Sequence, residues 1–295
     1  MRKVILGSDW WTDCDDVMAV RILCNLHKQG IFELLGICIN ACMSDSVRSL
    51  GGFLASNDID IPLGLDAEAV DFGGYPPYQV NLAKLPSRFK NNSDAEEAVQ
   101  FYRHLLAGSA DKVSLLEIGY PQVLGNLLDS PPDEFSPLNG IDLVREKVEH
   151  LWMMAGKWDD NPGRENNFAR NQRAAIGGAK VCSQWPTAIT FLGFEVGFDV
   201  ISGGNLPADD PLYQAMSDHG SASGRSSWDP MLILLAAAGS PEKAAYRSIY
   251  GKASVDPQSG YNSFTEQPTG PHRFVIKERD NAFYQQAVNN ALIPV

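Results

Sequence analysis

Val4-Ile5-Leu6-Gly7-Ser8-Asp9-Trp10-Trp11-Thr12-Asp13-Cys14-Asp15-Asp16 is the stretch around which the chain is organised. Its apolar first half reads as a short buried strand. Its second half is polar and holds four carboxylates, Asp9, Asp13, Asp15 and Asp16, within eight residues. Val17-Met18-Ala19-Val20-Arg21-Ile22-Leu23 then resumes with apolar residues at helical spacing. Four carboxylates on one strand-to-helix turn repel one another at neutral pH, which destabilises the turn unless positive charge joins them. The free N–H groups of a helix start supply part of that compensation, but too little for four. A hard divalent cation, Ca²⁺ or Mg²⁺, is what clustered carboxylate oxygens bind. The competing reading is a capped helix start in which Asp15 and Asp16 are ordinary first-turn acids.

Outward from this stretch, strand signals recur at residues 32–39, 61–65, 113–118, 150–156 and 187–193. Helical signals fall at 45–56, 95–107, 121–128, 171–183 and 230–238. Residues 67–95 read as a long irregular insertion and 129–140 as a Pro-rich loop. From about residue 240 turn signals are scattered, with a hairpin around 253–277. The alternation predicts an α/β fold: an open, mostly parallel, Rossmann-like sheet with helices on both faces, in one domain spanning residues 1–295. Ligands of such sheets bind beyond the carboxyl ends of the strands. The polar clusters do follow strands: residues 9–16, Asn40, Gly119-Tyr120-Pro121-Gln122, and residues 159–167.

The 295 residues are 44% hydrophobic, enough for a sizeable core, and the formal net charge is −12. A chain this acidic is a poor partner for nucleic-acid polymers or anionic membrane surfaces. No stretch has the length and apolarity of a membrane span or a signal segment. The five cysteines (Cys14, Cys24, Cys38, Cys42 and Cys182) include no CxxC pair and read as free core thiols of a cytoplasmic protein.

Two later segments extend the pattern. Glu165-Asn166-Asn167-Phe168-Ala169-Arg170-Asn171-Gln172-Arg173-Ala174-Ala175 and Ser227-Trp228-Asp229-Pro230, taken in order with the first stretch, resemble the nucleoside hydrolase family of inosine-uridine-preferring type. That family has a strand ending in DxD, a glycine and a DD pair opening a helix. An E-F-N-x-x-x-D-x-E-A-A segment follows, then H-D-P or W-D-P at a helix start. Gly193-Phe194-Glu195-Val196-Gly197 with Ile201-Ser202-Gly203 resembles a branch whose first motif reads DxGTDxDD. The resemblance runs from residue 4 to about residue 238. It implies a Ca²⁺-dependent N-ribohydrolase that splits a small-molecule ribonucleoside into base and ribose, assembled as a homodimer or homotetramer.

The resemblance also implies roles. Asp9 matches the metal ligand that takes the proton from the attacking water. Asp15 matches the first aspartate of the DD pair, which holds the ribose hydroxyls, and Asp16 the second, a metal ligand. Asp13 is an extra carboxylate inside the site and a further metal-ligand candidate. Asp229 matches the late aspartate that binds both metal and ribose, and Gln122 stands where a backbone carbonyl reaches the metal. Glu165 and Asn167 match the pair on the ribose 5′-hydroxyl side. Asn40 lies within one position of an asparagine used near the sugar, and Asp159 falls where an asparagine binds ribose, with Asn161 nearby as its substitute.

Departures from the pattern bear on the leaving group. Gly7 replaces an aspartate, Trp11 replaces a glycine, and Trp228 stands where many members have the histidine proposed to protonate the base. Trp10, Trp11 and Trp228 are candidates for stacking on the base, against the ordinary reading of core aromatics. Among the histidines only His219 lies near a matched motif, as a general-acid candidate, and Arg170 and Arg173 read as helix-surface charges. Two rival functions follow. One is a relative that binds Ca²⁺ and a riboside without turnover. The other is a haloacid dehalogenase-like phosphatase using Asp13-Cys14-Asp15, which is weakened because Asp13 lies well beyond the strand end and no GDxxxD motif follows.

Overall fold

Apolar runs become strands in the computed structural model, which describes residues 1–295 in full. Helices join β1 (Arg2–Ser8), β2 (Phe32–Ile39), β3 (Leu63–Leu65), β4 (Glu96–Glu97), β5 (Val113–Glu117), β6 (Val148–Met154) and β7 (Ala188–Leu192). The short strands β8 (Ile201–Ser202) and β9 (Arg225–Ser226) follow, then β10 (Tyr246–Val255), β11 (Asn262–Glu266) and β12 (His272–Lys277). One ten-stranded sheet runs in the order β11-β10-β12-β7-β6-β5-β1-β2-β3-β4, and β8 pairs only with β9. Within that sheet every pairing is parallel except the two made by β10. The expected open, mostly parallel sheet is present.

Alternation along each strand sends side chains to two cores. Val4 and Leu6 of β1 pack with the helices Asp15–Lys28, Ser46–Ser56 and Trp228–Ala238. Ile5, between them, packs with the helices Ala98–Gly108, Gln122–Asp129 and Gly140–Lys147 on the opposite face. Four of the five cysteines are buried and all are free thiols. No helix is long and apolar enough to cross a membrane.

Two regions depart from expectation. The helix Gly140–Lys147 directly follows the Pro-rich loop, started by the Asn139 side chain, which accepts from the Asp142 amide at 3.0 Å. The C-terminal region is a full extension of the sheet plus a helix, Asn281–Leu292, beyond the hairpin that turn signals suggest. Its signal is weak because the residues β10 buries in its second half include Gly251 and Ala253, which carry little hydrophobicity.

The Pro-rich loop closes on one buried cation. Arg103, 2% exposed, bonds Asp133 through Nε and Nη2, Ser130 Oγ at 2.9 Å and the carbonyls of Ser136 and Leu138. Removing Arg103 leaves the Ser136 and Leu138 carbonyls without their donor, while Asp133, at the loop surface, returns to water. Arg103→Ala should lower unfolding free energy by about 1–3 kcal/mol, read from denaturant midpoints. A loss below about 1 kcal/mol, the value of a surface pair, would mean that the loop closes without the arginine.

Candidate active site

The chain leaves β1 for β2, β3 and β4 on one side, then returns to β5, β6 and β7 on the other. The reversal between β1 and β5 opens a crevice at the strand ends, the usual ligand position in doubly wound sheets. Asp9 follows β1 directly, Ile118 follows β5, and the loop after β6 carries Glu165 and Asn167. All four line one cleft of about 300 Å³, together with Asp13, Asp15, Asp16, Asp229, Phe194 and Trp228.

The acidic wall is built by the turn after β1. Trp10 holds it in the left-handed region at φ 46°. The Trp10 amide points between Ser8 Oγ (3.0 Å) and Asp16 Oδ1 (3.2 Å), and its indole N–H donates to Ser49 Oγ at 2.9 Å. Residues of the irregular insertion clamp the same turn: Gln79 Nε2 donates to the Trp10 carbonyl and the Tyr78 hydroxyl to that of Trp11. Asp15 and Asp16 then open the helix Asp15–Lys28, and Asp229 lies in the first turn of Trp228–Ala238. Asp15, Asp16 and Asp229 bring carboxylate oxygens within 4.8 Å of one another, a group able to hold a metal ion.

This wall is electrostatically unbalanced. Burial pushes the Asp9 carboxyl up to about 7, with the charges of Asp15 and Asp13 adding to it and hydrogen bonding by Asp16 and the Trp11 amide opposing it. Asp15, Asp16 and Asp229 lie well above the ordinary carboxylate range, from burial first and then from a neighbouring charge, that of Asp13 on Asp15, Asp9 on Asp16 and Asp15 on Asp229. Asp13 differs. Burial raises it, but the Arg225 guanidinium outweighs that, with Nε at 2.9 Å and Nη2 at 2.5 Å, and holds it below the ordinary range. Asp13, expected as a further metal ligand, therefore lines the cleft as half of an ion pair. The group of three carboxylates holds Asp16 and Asp229 of the expected ligands together with Asp15, without Asp9 or Asp13.

Opposite stand Glu165 and Asn167. The Glu165 carboxylate accepts from the amides of Gly156 (2.9 Å) and Asn167 (2.7 Å), while burial lifts its pKa to about 7. Asn167 Nδ2 donates to the Met154 carbonyl at 2.8 Å and the Ile118 carbonyl at 3.1 Å, tying together the ends of β6 and β5. Trp228 completes an aromatic wall: its indole donates to the Phe194 carbonyl at 2.7 Å and its ring lies 5.3 Å from that of Phe194, 30° from parallel.

Seven expected site residues lie outside the cleft lining. Gln122 turns its amide inward, to the Asn40 carbonyl (2.6 Å) and Asp66, and it is Ile118, directly at the end of β5, that borders the cleft. Asn40 is buried as a brace, donating to Glu117 Oε1 at 2.8 Å and accepting from the Tyr120 amide at 3.0 Å. Asp159 is drawn outward by Lys157 Nζ at 2.5 Å, and the exposed Asn161 donates to the Phe264 carbonyl at 3.3 Å, so neither reaches the sugar wall. Trp10 and Trp11 are fully buried and cannot stack on a ligand. His219 bonds Ser221 Oγ and does not line the cleft. Arg173 is the surface charge expected, pairing with Asp71. Arg170 is not: it borders the cleft, 4.8 Å above the Trp11 ring, and clamps the Phe72 carbonyl.

Sequence reading missed Glu117. It pairs with Gly7 across β1 and β5, and a β-carbon on Gly7 would lie 2.2 Å from Glu117 Oε2. The glycine makes room for a carboxylate from the next strand, at the place where the resembling family carries its own aspartate. Only cross-strand register reveals this substitution.

No family model matches the chain, and neither does any curated protein. Solved structures do. An inosine-guanosine nucleoside hydrolase covers 100% of both chains at TM-score 0.69 and 16% identity. An inosine-uridine preferring nucleoside hydrolase from Bacillus anthracis also covers 100% of both, at TM-score 0.69 and 13% identity. The type III effector protein XopQ, solved in complex with adenosine diphosphate ribose, aligns over 99% of this chain and 94% of its own at TM-score 0.65 and 14% identity. The chain has the nucleoside hydrolase fold.

Proposed function

We propose that the chain hydrolyses the N-glycosidic bond of a ribonucleoside, or a related N-riboside, to free base and sugar. The observation that supports this best is the pairing of the buried carboxylate wall of Asp9, Asp15, Asp16 and Asp229 with Glu165 and Asn167 across one cleft at the strand reversal. The first set suits water activation and the ribose diol, the second the rest of the sugar.

A metal fits this wall. Three buried carboxylates meet with no cationic side chain among them, the nearby guanidinium of Arg225 being committed to Asp13. All-oxygen donors suit a hard cation such as Ca²⁺. When bound, that ion orients the diol and acidifies a water. Asp9, at the end of β1 beside the three carboxylates, accepts the proton of the attacking water. Asp15 and Asp229 accept hydrogen bonds from the ribose hydroxyls, while the carboxylates together favour the positive charge that develops on the sugar as its bond to the base lengthens. Phe194 and Trp228 give the leaving base an apolar wall.

A second reading, riboside binding without turnover, draws on the lack of any histidine lining the cleft. The readings separate on one measurement, release of free ribose from a panel of purine and pyrimidine ribonucleosides with and without a strong chelator. Chelator-sensitive release is expected. Asp9→Asn should lower kcat by about 10² to 10⁴, and a variant with full activity would remove Asp9 as the base. Ligand-induced stabilisation with no release from any substrate would favour the binder.

Stability gives an independent test of the metal. Carboxyls held above their unfolded values bind protons more tightly in the folded state, so their contribution is full below the unfolded value of 3.8 and is lost as pH rises through about 7 for Asp9. The chelated protein should therefore melt at progressively lower temperature from pH 5 to pH 8. Added Ca²⁺ should restore more stability at pH 8, where it competes with fewer protons, than at pH 5. Equal stabilisation at both pH values would argue against these carboxylates as ligands.

A further inference from the structure

On the Glu165 side the cleft does not end. Glu165, Asn166, Arg170 and Phe194 border both it and a second basin of about 410 Å³, completed by Lys157, Arg164 and Ala169. Lys157 is taken by Asp159 and Asp160, which leaves two guanidiniums without an ion pair, Arg164 and Arg170, on one pocket of a chain with net charge −12. The acids around them are accounted for. Glu165 is turned into the backbone amides of Gly156 and Asn167, and Asp159 and Asp160 sit on Lys157. Arg164 is exposed and has no hydrogen bond or ion pair within the chain. Arg170 makes no ion pair either; its Nε and Nη2 hold backbone carbonyls of the insertion.

The loop that presents Lys157 and Arg164 is fixed in place. Gly163 exchanges backbone hydrogen bonds with Asn262 at 2.8 and 2.9 Å. The buried Asn262 side chain also spans the Lys157 backbone, accepting from its amide (3.1 Å) and donating to its carbonyl (2.8 Å). A β-carbon on Gly163 would meet the Lys157 carbonyl oxygen at 1.9 Å, so only glycine permits this closure. A guanidinium held on a braced loop next to a sugar site is suited to a phosphate, whose geometry matches the planar fork of arginine.

We infer that the riboside carries a phosphate on its 5′ carbon, received in this basin by Arg164 with Arg170 at its side. This rests on the N-ribosidase reading above, with Glu165 and Asn167 on the 5′ side of the sugar. The reaction balances as a hydrolysis: the bond from the anomeric carbon to the base nitrogen breaks and a water oxygen bonds that carbon. One water proton passes to Asp9 and the other stays on the new hydroxyl. The base nitrogen keeps the bonding pair and takes a proton from solvent, Asp9 returns its own to solvent, and ribose 5-phosphate is released.

Two measurements test it. The first compares kcat/KM for matched pairs (inosine and inosine 5′-phosphate, uridine and uridine 5′-phosphate) in the wild type, Arg164→Ala and Arg164→Lys, with Ca²⁺ present. The wild type should favour the phosphorylated member by about tenfold to a hundredfold, as expected for a charge-assisted contact. Arg164→Ala should narrow that ratio about tenfold, Arg164→Lys should recover part of it, and the preference should shrink with added salt. The second titrates ribose 5-phosphate, ribose and inorganic phosphate calorimetrically into the same proteins. Ribose 5-phosphate should bind at least tenfold more tightly than either, in an Arg164-dependent way.

Base release as good or better from the unphosphorylated members overturns the phosphate subsite and leaves the hydrolase reading standing. Arg164-dependent binding of ribose 5-phosphate with no base release from any substrate does the reverse. Inorganic phosphate binding as tightly as ribose 5-phosphate overturns the subsite as part of a sugar site.

Discussion

Mutual repulsion among buried carboxylates is the constraint that the rest of the molecule accommodates. Asp9, Asp15, Asp16 and Asp229 are each no more than 8% exposed, and no cationic side chain pairs with any of them. Such a wall persists only where the surrounding chain over-determines it. The means are visible at the turn after β1. A tryptophan in the left-handed region spends its amide on Ser8 and Asp16 and its indole on Ser49, while Gln79 and Tyr78 hold the following carbonyls. The irregular insertion is thus part of the site's scaffold, although none of its residues touches the cleft.

The same need explains why the fifth acid differs. Asp13 lies in the same turn but meets Arg225, a residue from β9. Pairing keeps Asp13 charged and removes it from the competition for a cation, so the unbalanced charge is concentrated on the four groups closest to the strand end. Arg225 also lies 5.3 Å from the Trp228 ring. One guanidinium therefore links the acidic wall to the aromatic one.

What was legible in the sequence follows from what is local. β1, the helix after it and the acids between them are set by residues within a few positions of one another, and the alternation of strands and helices is a local pattern too. Asp9, Asp15, Asp16, Asp229, Glu165, Asn167 and Trp228 all reach the cleft because strand ends and helix starts position them. Asn40, Gln122, Asp159 and Asn161 do not reach it for the opposite reason, and Asp13 reaches it only as half of an ion pair. What fixes the side chains of Asp13, Asn40 and Asn161 is a partner remote in sequence: Arg225, Glu117 and Phe264. Asp159 is taken by a lysine two residues away, and Gln122 by the Asn40 carbonyl at the end of β2, two strands over from β5. Arg170 reads as a surface charge for the same reason, since the carbonyl it holds belongs to an insertion with no periodic signal.

Glu117 carries this furthest. In a parallel pair, residues in register present side chains to the same face, so a carboxylate removed from β1 at Gly7 is replaceable by one at the paired position of β5. The replacement keeps an acid beneath the turn, braced by the Asn40 amide at 2.8 Å and the Gly119 amide at 3.0 Å, and burial lifts its pKa to about 8. It also erases the motif from the strand where a linear reading looks for it. At 13–16% identity to solved structures of the same fold, the letters of a first motif can be missing from one strand while the adjacent strand supplies a carboxyl group at the same place. The physical quantity retained is the acidic environment at the end of β1, and the register of β1 against β5 is what allows a different residue to provide it.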